Sequence, residues 1–363
     1  MSNMINDLSL LFISLILASL IYPLYIKFLY RFQLGEEIRG DGPESHLKKS
    51  GTPTMGGMVI LLVVFLVTFI FNRSISQTIF PLFVISLSGL FGIIEDLTKI
   101  AVKNGYEFFK FNPSNNFFIK SIKRFLNFVF GKPAELFVEF WRILGSKQER
   151  GLQSYQKFLI QAGIASFVSY WTYFKLGWDY IWFPLVGDIT VGYLYPVFIF
   201  LIFFLVLNSV AITDGLDGLV GGLALISFTA FWVICSILNY NSLSSFCATF
   251  IGCLIVFLYY NVYPARIFMG NVGSHILGAA LALIPILLHR EILIFIIYLV
   301  FLIDGVSSPI QSMFYKLTKK RIFLMAPLHH HFELKGWPET KVTVRFWIFG
   351  IIFSLVGIFV SLL

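Results

Sequence analysis

The sequence predicts an all-α integral membrane protein of about ten transmembrane helices, and three observations carry that expectation. Of its 363 residues, 58% are hydrophobic and only 13% are charged, against about 25% charged in a typical soluble domain. That much apolar surface exceeds what one water-soluble core encloses, so lipid is the expected solvent for most of it. The apolar residues gather into runs near 8–29, 57–72, 78–96, 158–176, 193–210, 218–239, 244–262, 274–289, 292–314 and 343–363. Some of these are short for the ~20 residues that a spanning helix needs. Finally, 24 of the 27 Lys and Arg residues lie in or beside alternate loops, with only Arg73, Lys175 and Arg290 on the other side. Basic loops stay in the cytoplasm, so both termini are expected outside it. The net charge of +8 follows from that orientation and gives no reason to expect nucleic acid.

Taken in order, the first run, from Leu8 to Tyr30, is long enough to cross a bilayer and lacks a cleavage pattern, so it reads as a retained span. The longest loop, 97–157, is the one candidate for extra structure. Within it, Phe118, Ile122, Phe125 and Val129 recur at helical spacing among Lys120, Lys123 and Arg124, and Leu136, Phe137, Phe140, Trp141 and Leu144 repeat the pattern. Segments 117–130 and 134–144 are therefore expected to be amphipathic helices on an anionic membrane surface, with a partner-binding hairpin as the alternative. Cys235, Cys247 and Cys253 lie in or beside apolar runs without metal-ligand or disulfide spacing, as small buried hydrophobes do.

Chemistry is expected where charge meets membrane depth, because a charge in lipid is costly and usually functional. Five clusters qualify, all on the cytoplasmic side by the basic-residue assignment. Asp41 to Gly57 carries lysines, hydroxyls and glycines ahead of a span, a composition that can cradle phosphate through N–H groups and ammonium charge; an ordinary basic turn is the alternative. Glu95 and Asp96 end the third span. Negative charge at a helix C-terminus opposes the macrodipole and argues for a cation partner. Asn208 precedes Thr213-Asp214-Gly215-Leu216-Asp217-Gly218, a turn that can present two carboxylates to a cation or ligand but lacks the ligand ladder of an EF-hand. The stretch from Asn261 to Ser274 offers Tyr263, Phe268 and Asn271 for stacking and amide contacts. The fifth cluster, Pro327 to Glu339, contains His329, His330 and His331. On a loop these would supply hydrogen-bond donors for phosphate, or a general base.

Segments 41–57 and 326–339, together with the turn at 213–218, resemble the phospho-N-acetylmuramoyl-pentapeptide transferases (MraY), within the polyprenyl-phosphate N-acetylhexosamine-1-phosphate transferases. The resemblance covers nearly the whole chain in order, apart from an inserted segment at about 104–148, so 1–363 is expected to be one polytopic domain. It implies a ten-span fold, usually dimeric, in the bacterial inner membrane, with the active site cytoplasmic and both termini periplasmic. It also implies Mg²⁺-dependent transfer of phospho-MurNAc-pentapeptide from UDP-MurNAc-pentapeptide to undecaprenyl phosphate, giving lipid I and UMP. By the same resemblance, Lys49 and Thr54 are the nucleotide-side Lys and Thr, and Asn261 and Phe268 the uridine contacts. Asp96, with Glu95 beside it, matches the family's acidic pair; Asp214 and Asp217 match the paired acids of the turn; His330 and His331 match the loop histidines. Asn208 and His329 are expected on the substrate side, and Asn271, Asp96 and Asp214 around the metal. Three departures stand out: Glu95 where the family has Asp, Ala211 where it has Asn, and Asn271 where it has the Asp that ligates Mg²⁺. An Asn carbonyl can coordinate Mg²⁺, but the site loses one negative charge. These departures keep open a non-catalytic or altered-substrate relative that binds nucleotide-sugar or polyprenyl phosphate. A transporter with a carboxylate gate is a third reading, disfavoured by the absence of charge in 193–207 and 292–303.

Overall fold

The computed structural model describes residues 2–32, 49, 51–103 and 154–363. Expected interfacial helices 117–130 and 134–144, the 104–148 insertion and most of 41–50 lie outside the described residues. A helix occupies every apolar run. The order is α1 (Ser2–Arg31), α2 (Gly57–Phe71), α3 (Phe80–Lys103), α4 (Ser154–Tyr170), α5 (Tyr195–Thr213) and α6 (Leu219–Ile237). It continues with α7 (Asn241–Asn261), α8 (Gly270–Leu287), α9 (Ile294–Ile297), α10 (Leu299–Thr318), α11 (Leu328–Leu334) and α12 (Glu339–Val360). Among the described residues, seven helices are long and apolar enough to cross a membrane, and eight if the α9–α10 pair, bent by 80°, makes one span. The remaining runs are met by α2, which has 15 residues, and by α4, which a π-helical turn, Trp171–Lys175, extends.

Helix α8 is the centre of the bundle: 89% of its apolar window is buried, against 22% for α1. It packs against α2, α3, α5 and α6, while α1 lies on α2 and α7, and α12 on α6. The crossing of α2 and α8 is set by Gly57 and Gly273, whose backbones meet with no room for a side chain. Elsewhere on α1 and α12 large apolar residues such as Leu20, Leu24, Leu355 and Phe359 stay exposed. On helices of this length and hydropathy, such faces are lipid-facing.

One element departs from the all-α expectation. Between α4 and α5, β1 (Tyr180–Phe183) pairs antiparallel with β2 (Gly187–Thr190), Phe183 opposite Gly187 and Tyr180 opposite Thr190. The β-branched and aromatic run Tyr180-Ile181-Trp182-Phe183 favours a strand, and Leu185 and Gly187, both at positive φ, close the hairpin.

Candidate active site

The sequence clusters come together where helices end. The end of α3, the α5–α6 and α7–α8 junctions, and the start of α12 meet around Lys49 and the segment 51–57. That segment is held by backbone pairing: Phe268 N–H donates to Pro53 O (2.8 Å), and Gly56 and Gly57 donate to Phe268 O (2.8 Å) and Met269 O (2.9 Å).

Lys49 enters a pocket of carboxylates. Its Nζ lies 2.8 Å from Asp217 Oδ1 and 2.5 Å from Glu339 Oε1, and 5.8 Å from the Tyr263 ring centroid. The second oxygen of Asp217 accepts the Ala265 N–H (3.0 Å), and the Asp217 N–H donates to Glu339 Oε1 (2.6 Å). Asp214 caps the end of α5, and Gly218 takes the left-handed conformation just before α6. This is how two acids three residues apart fit into one tight helix-to-helix turn. Asn261 clamps the turn from the other side. Its Oδ1 accepts the Gly218 N–H (3.0 Å) and its Nδ2 donates to Ile267 O (2.9 Å), so its amide spends both ends on the backbone.

Asp96 forms a second centre, on the Thr54 side of the segment 51–57. Its Oδ1 accepts from Asn271 Nδ2 (2.7 Å) and Asn271 N (3.2 Å), and its Oδ2 from Val272 N (3.2 Å). The carboxylate thus sits at the N-terminus of α8, where a helix favours negative charge. Gly270, at positive φ, allows this approach. A Cβ there would stand 2.8 Å from Asp96 Oδ2 and 2.9 Å from Thr54 Oγ1, which also puts Thr54 beside Asp96. Glu95, the neighbouring acid, is engaged elsewhere. Its carboxylate meets Lys157 (2.6 Å), Lys99 (3.8 Å) and His275 (3.3 Å), tying α3 to α4 and α8.

The three histidines lie on the short helix α11 and not on a loop, and they face three different partners. His329 is fully buried. Its backbone N–H donates to Asp304 Oδ1 (2.9 Å) and its Nδ1 lies 2.8 Å from Asp304 Oδ2. A Cβ on Gly215 would collide with its Nε2, so this ring backs onto the Asp214–Asp217 turn. His330 pairs with Glu333 (2.7 Å), and His331 Nδ1 accepts the Leu324 N–H (3.0 Å). Burial, then the nearby Lys335, hold His331 below the usual imidazole range. Of the remaining candidates, Phe268 is half-buried, and Asn208 turns its amide back onto Phe204 O of its own helix (2.8 Å).

Sequence reasoning missed Asp304, Glu339, His275 and Lys157. The signal for Asp304 was a lone acid in an apolar run, and for Glu339 an acid at the first position of a helix, closing a cluster read for its histidines.

These segments are also the ones that relatives share. The glycosyl transferase family 4 model matches residues 145–289, and signature 1 of the phospho-N-acetylmuramoyl-pentapeptide-transferases matches residues 49–61, the stretch that carries Lys49 and Thr54. The phospho-N-acetylmuramoyl-pentapeptide-transferase of a Geobacillus species is 35% identical over 355 residues, 96% of each chain. That of Staphylococcus aureus is 34% identical over 362 residues, covering 96% of this chain and 97% of its own. That of Caldicellulosiruptor bescii is 35% identical over 358 residues, covering 98% and 97%. The chain belongs to the phospho-N-acetylmuramoyl-pentapeptide-transferase family, and it is a multi-pass membrane enzyme of that class.

Proposed function

We propose that this enzyme, acting as a homodimer in the inner membrane with both termini periplasmic, transfers phospho-MurNAc-pentapeptide from UDP-MurNAc-pentapeptide to undecaprenyl phosphate on the cytoplasmic side. The observation that carries the reading is the convergence of Lys49, Asp217, Thr54 and Asp96 along one short segment at the helix ends. A phosphate oxygen of the lipid attacks the phosphorus joined to MurNAc. The bond from that phosphorus to the bridging oxygen breaks, and the electron pair leaves on UMP. One phosphoanhydride is exchanged for another, so the main obstacle is bringing anions together.

The residues fit a Mg²⁺ ion shared with substrate, as the resemblance implies. Asp96 offers a carboxylate whose position is fixed by three N–H donors, with Thr54 beside it; the Asn271 amide would have to turn its oxygen, in place of the Nδ2 that faces Asp96, to join the ion. Among the described residues no three His, Cys, Asp or Glu side chains form a cage. Mg²⁺ typically takes one or two carboxylates and completes its shell with phosphates and water. When bound, the ion supplies charge neutralisation. Lys49 contributes the protein's own positive charge, and the Asp214–Asp217 turn shapes the nucleotide side. The leaflet substrate and the soluble nucleotide meet because the site lies where helices leave the membrane.

The test is purified enzyme given both substrates and Mg²⁺, with UMP release measured. Release that requires undecaprenyl phosphate and vanishes in Asp96→Asn supports the reading. Tight nucleotide binding without UMP release at any Mg²⁺ concentration would replace it with the binding-only relative.

A further inference from the structure

The β-hairpin lies at the end of the bundle away from the acidic site, because α4 enters beside Glu95 through Lys157 and α5 leaves at Asp214. Its turn breaks a local rule. The Val186 N–H donates to Phe183 O (3.3 Å) across Pro184 and Leu185, and Leu185 sits at φ 65°. Proline followed by a residue at positive φ is the form of a type II turn, whose third position normally goes to Gly or Asn because a larger side chain is crowded there. The leucine gains no packing in return: it is 79% exposed, and Val186 beside it is 72% exposed. From Ile181 to Gly187 the chain carries no charged and no hydroxyl side chain. An aliphatic tip that is strained and also bare is doubly unfavourable in water.

The rest of the hairpin holds this tip in place. Trp182 is buried under the Arg290 guanidinium, 4.1 Å from its ring centroid, and Tyr180 stacks on His289 at 4.6 Å. These pin β1 to the end of α8. The pairing of Ile181 with Ile189 and of Phe183 with Gly187 puts Phe183 and Ile189 on one face of the ribbon, and both are exposed. Asp188, opposite Trp182, falls on the other face. At the base of the hairpin, exposed Leu194 begins a stripe that continues through exposed Val197 and Leu201 of α5, residues three and four apart and so on one side of a spanning helix. That stripe is lipid-facing, and it leads directly to the apolar face of the hairpin.

We propose that the hairpin is a membrane anchor: Leu185 and Val186, with Phe183 and Ile189 behind them, insert among the phospholipid acyl chains of the leaflet opposite the active site. The occupant is lipid because the tip continues a lipid-facing surface and offers a partner protein no polar side chain with which to fix a register. The inference is independent of the transferase reaction.

The native cysteines are all buried, so an environment-sensitive NBD maleimide can be placed on Leu185→Cys, and on Asp188→Cys as the control, in the full-length protein. Each labelled protein that elutes as wild type does is reconstituted into vesicles of phosphatidylglycerol and phosphatidylethanolamine. The expected result is blue-shifted emission at position 185, lost when nitroxide-labelled lipid is included and protected from aqueous iodide, with the label at 188 open to iodide. An equal response of the two labels to either quencher overturns the proposal. So does a label at 185 that is shielded from iodide yet untouched by nitroxide lipid, the signature of a protein neighbour.

Discussion

Replacing Asp304 tests whether the histidine helix is held onto the acidic turn by a buried hydrogen-bond pair. Asp304 and His329 are both 0% exposed, and one carboxylate takes two donors, the His329 backbone N–H at 2.9 Å and its ring Nδ1 at 2.8 Å. Asp304→Ala leaves both donors buried and unpaired. At about 1–3 kcal/mol for each such group, the loss is roughly 2–6 kcal/mol, comparable with the net stability of about 5–15 kcal/mol that folded proteins retain. Asp304→Asn keeps one carbonyl oxygen and so should lose about half as much. It also confronts the remaining donor with an N–H₂. The relief is to move the ring proton from Nδ1 to Nε2, the nitrogen against Gly215, which has no hydrogen-bond partner among the described residues. The assay is denaturant unfolding in detergent, with UMP release measured on the same samples. The expected stability order is wild type, then Asn, then Ala, with the Asn variant losing more turnover than its folded fraction explains. An alanine variant within about 0.5 kcal/mol of wild type, the range of a neutral surface change, would refute the reasoning.

Two further predictions concern charge. Asn271→Asp replaces the donor 2.7 Å from Asp96 Oδ1 with a second carboxylate, so the Mg²⁺ concentration giving half-maximal UMP release should fall by roughly tenfold, because paired carboxylates bind the ion better than one. An unchanged Mg²⁺ requirement would take position 271 out of the metal's reach. Burial pushes His289 down from 6.5 to about 4, so the unfolded chain binds more protons between those values. Stability therefore falls as the pH drops through that window, by at most about 3 kcal/mol. Unfolding measured at about pH 7 and about pH 5 in wild type and His289→Gln checks this, and a slope that survives the substitution would dismiss His289 as its source.

The parts of this protein legible in its sequence are those that the membrane makes expensive to hide. Each expected apolar run is met by a helix, because a backbone in lipid satisfies its own hydrogen bonds most simply as a helix. The same cost marks Asp96 and Asp217 as functional candidates: charges at membrane depth have few bland explanations. What stayed hidden were partnerships. Glu95 and Asp96 are adjacent in sequence and read as one pair, yet successive helix positions point in different directions. One acid enters a structural knot with Lys157 and His275, the other the α8 terminus. The hairpin at Tyr180–Thr190 was missed because four-residue strands leave too little alternation to register within an aromatic loop.

Asn271 shows most clearly why composition alone misleads. Read along the chain, it is a missing anionic ligand. In the folded protein it is a hydrogen-bond donor to Asp96, a role that an ionised Asp cannot play. Two carboxylates at this distance would repel one another without a cation between them. The amide removes that repulsion and locks Asp96 in place before substrate arrives. The expected consequence is a site already ordered without the ion, which takes Mg²⁺ mainly together with the substrate phosphates. The Asn271→Asp titration separates that ordering from a simple loss of ligand charge.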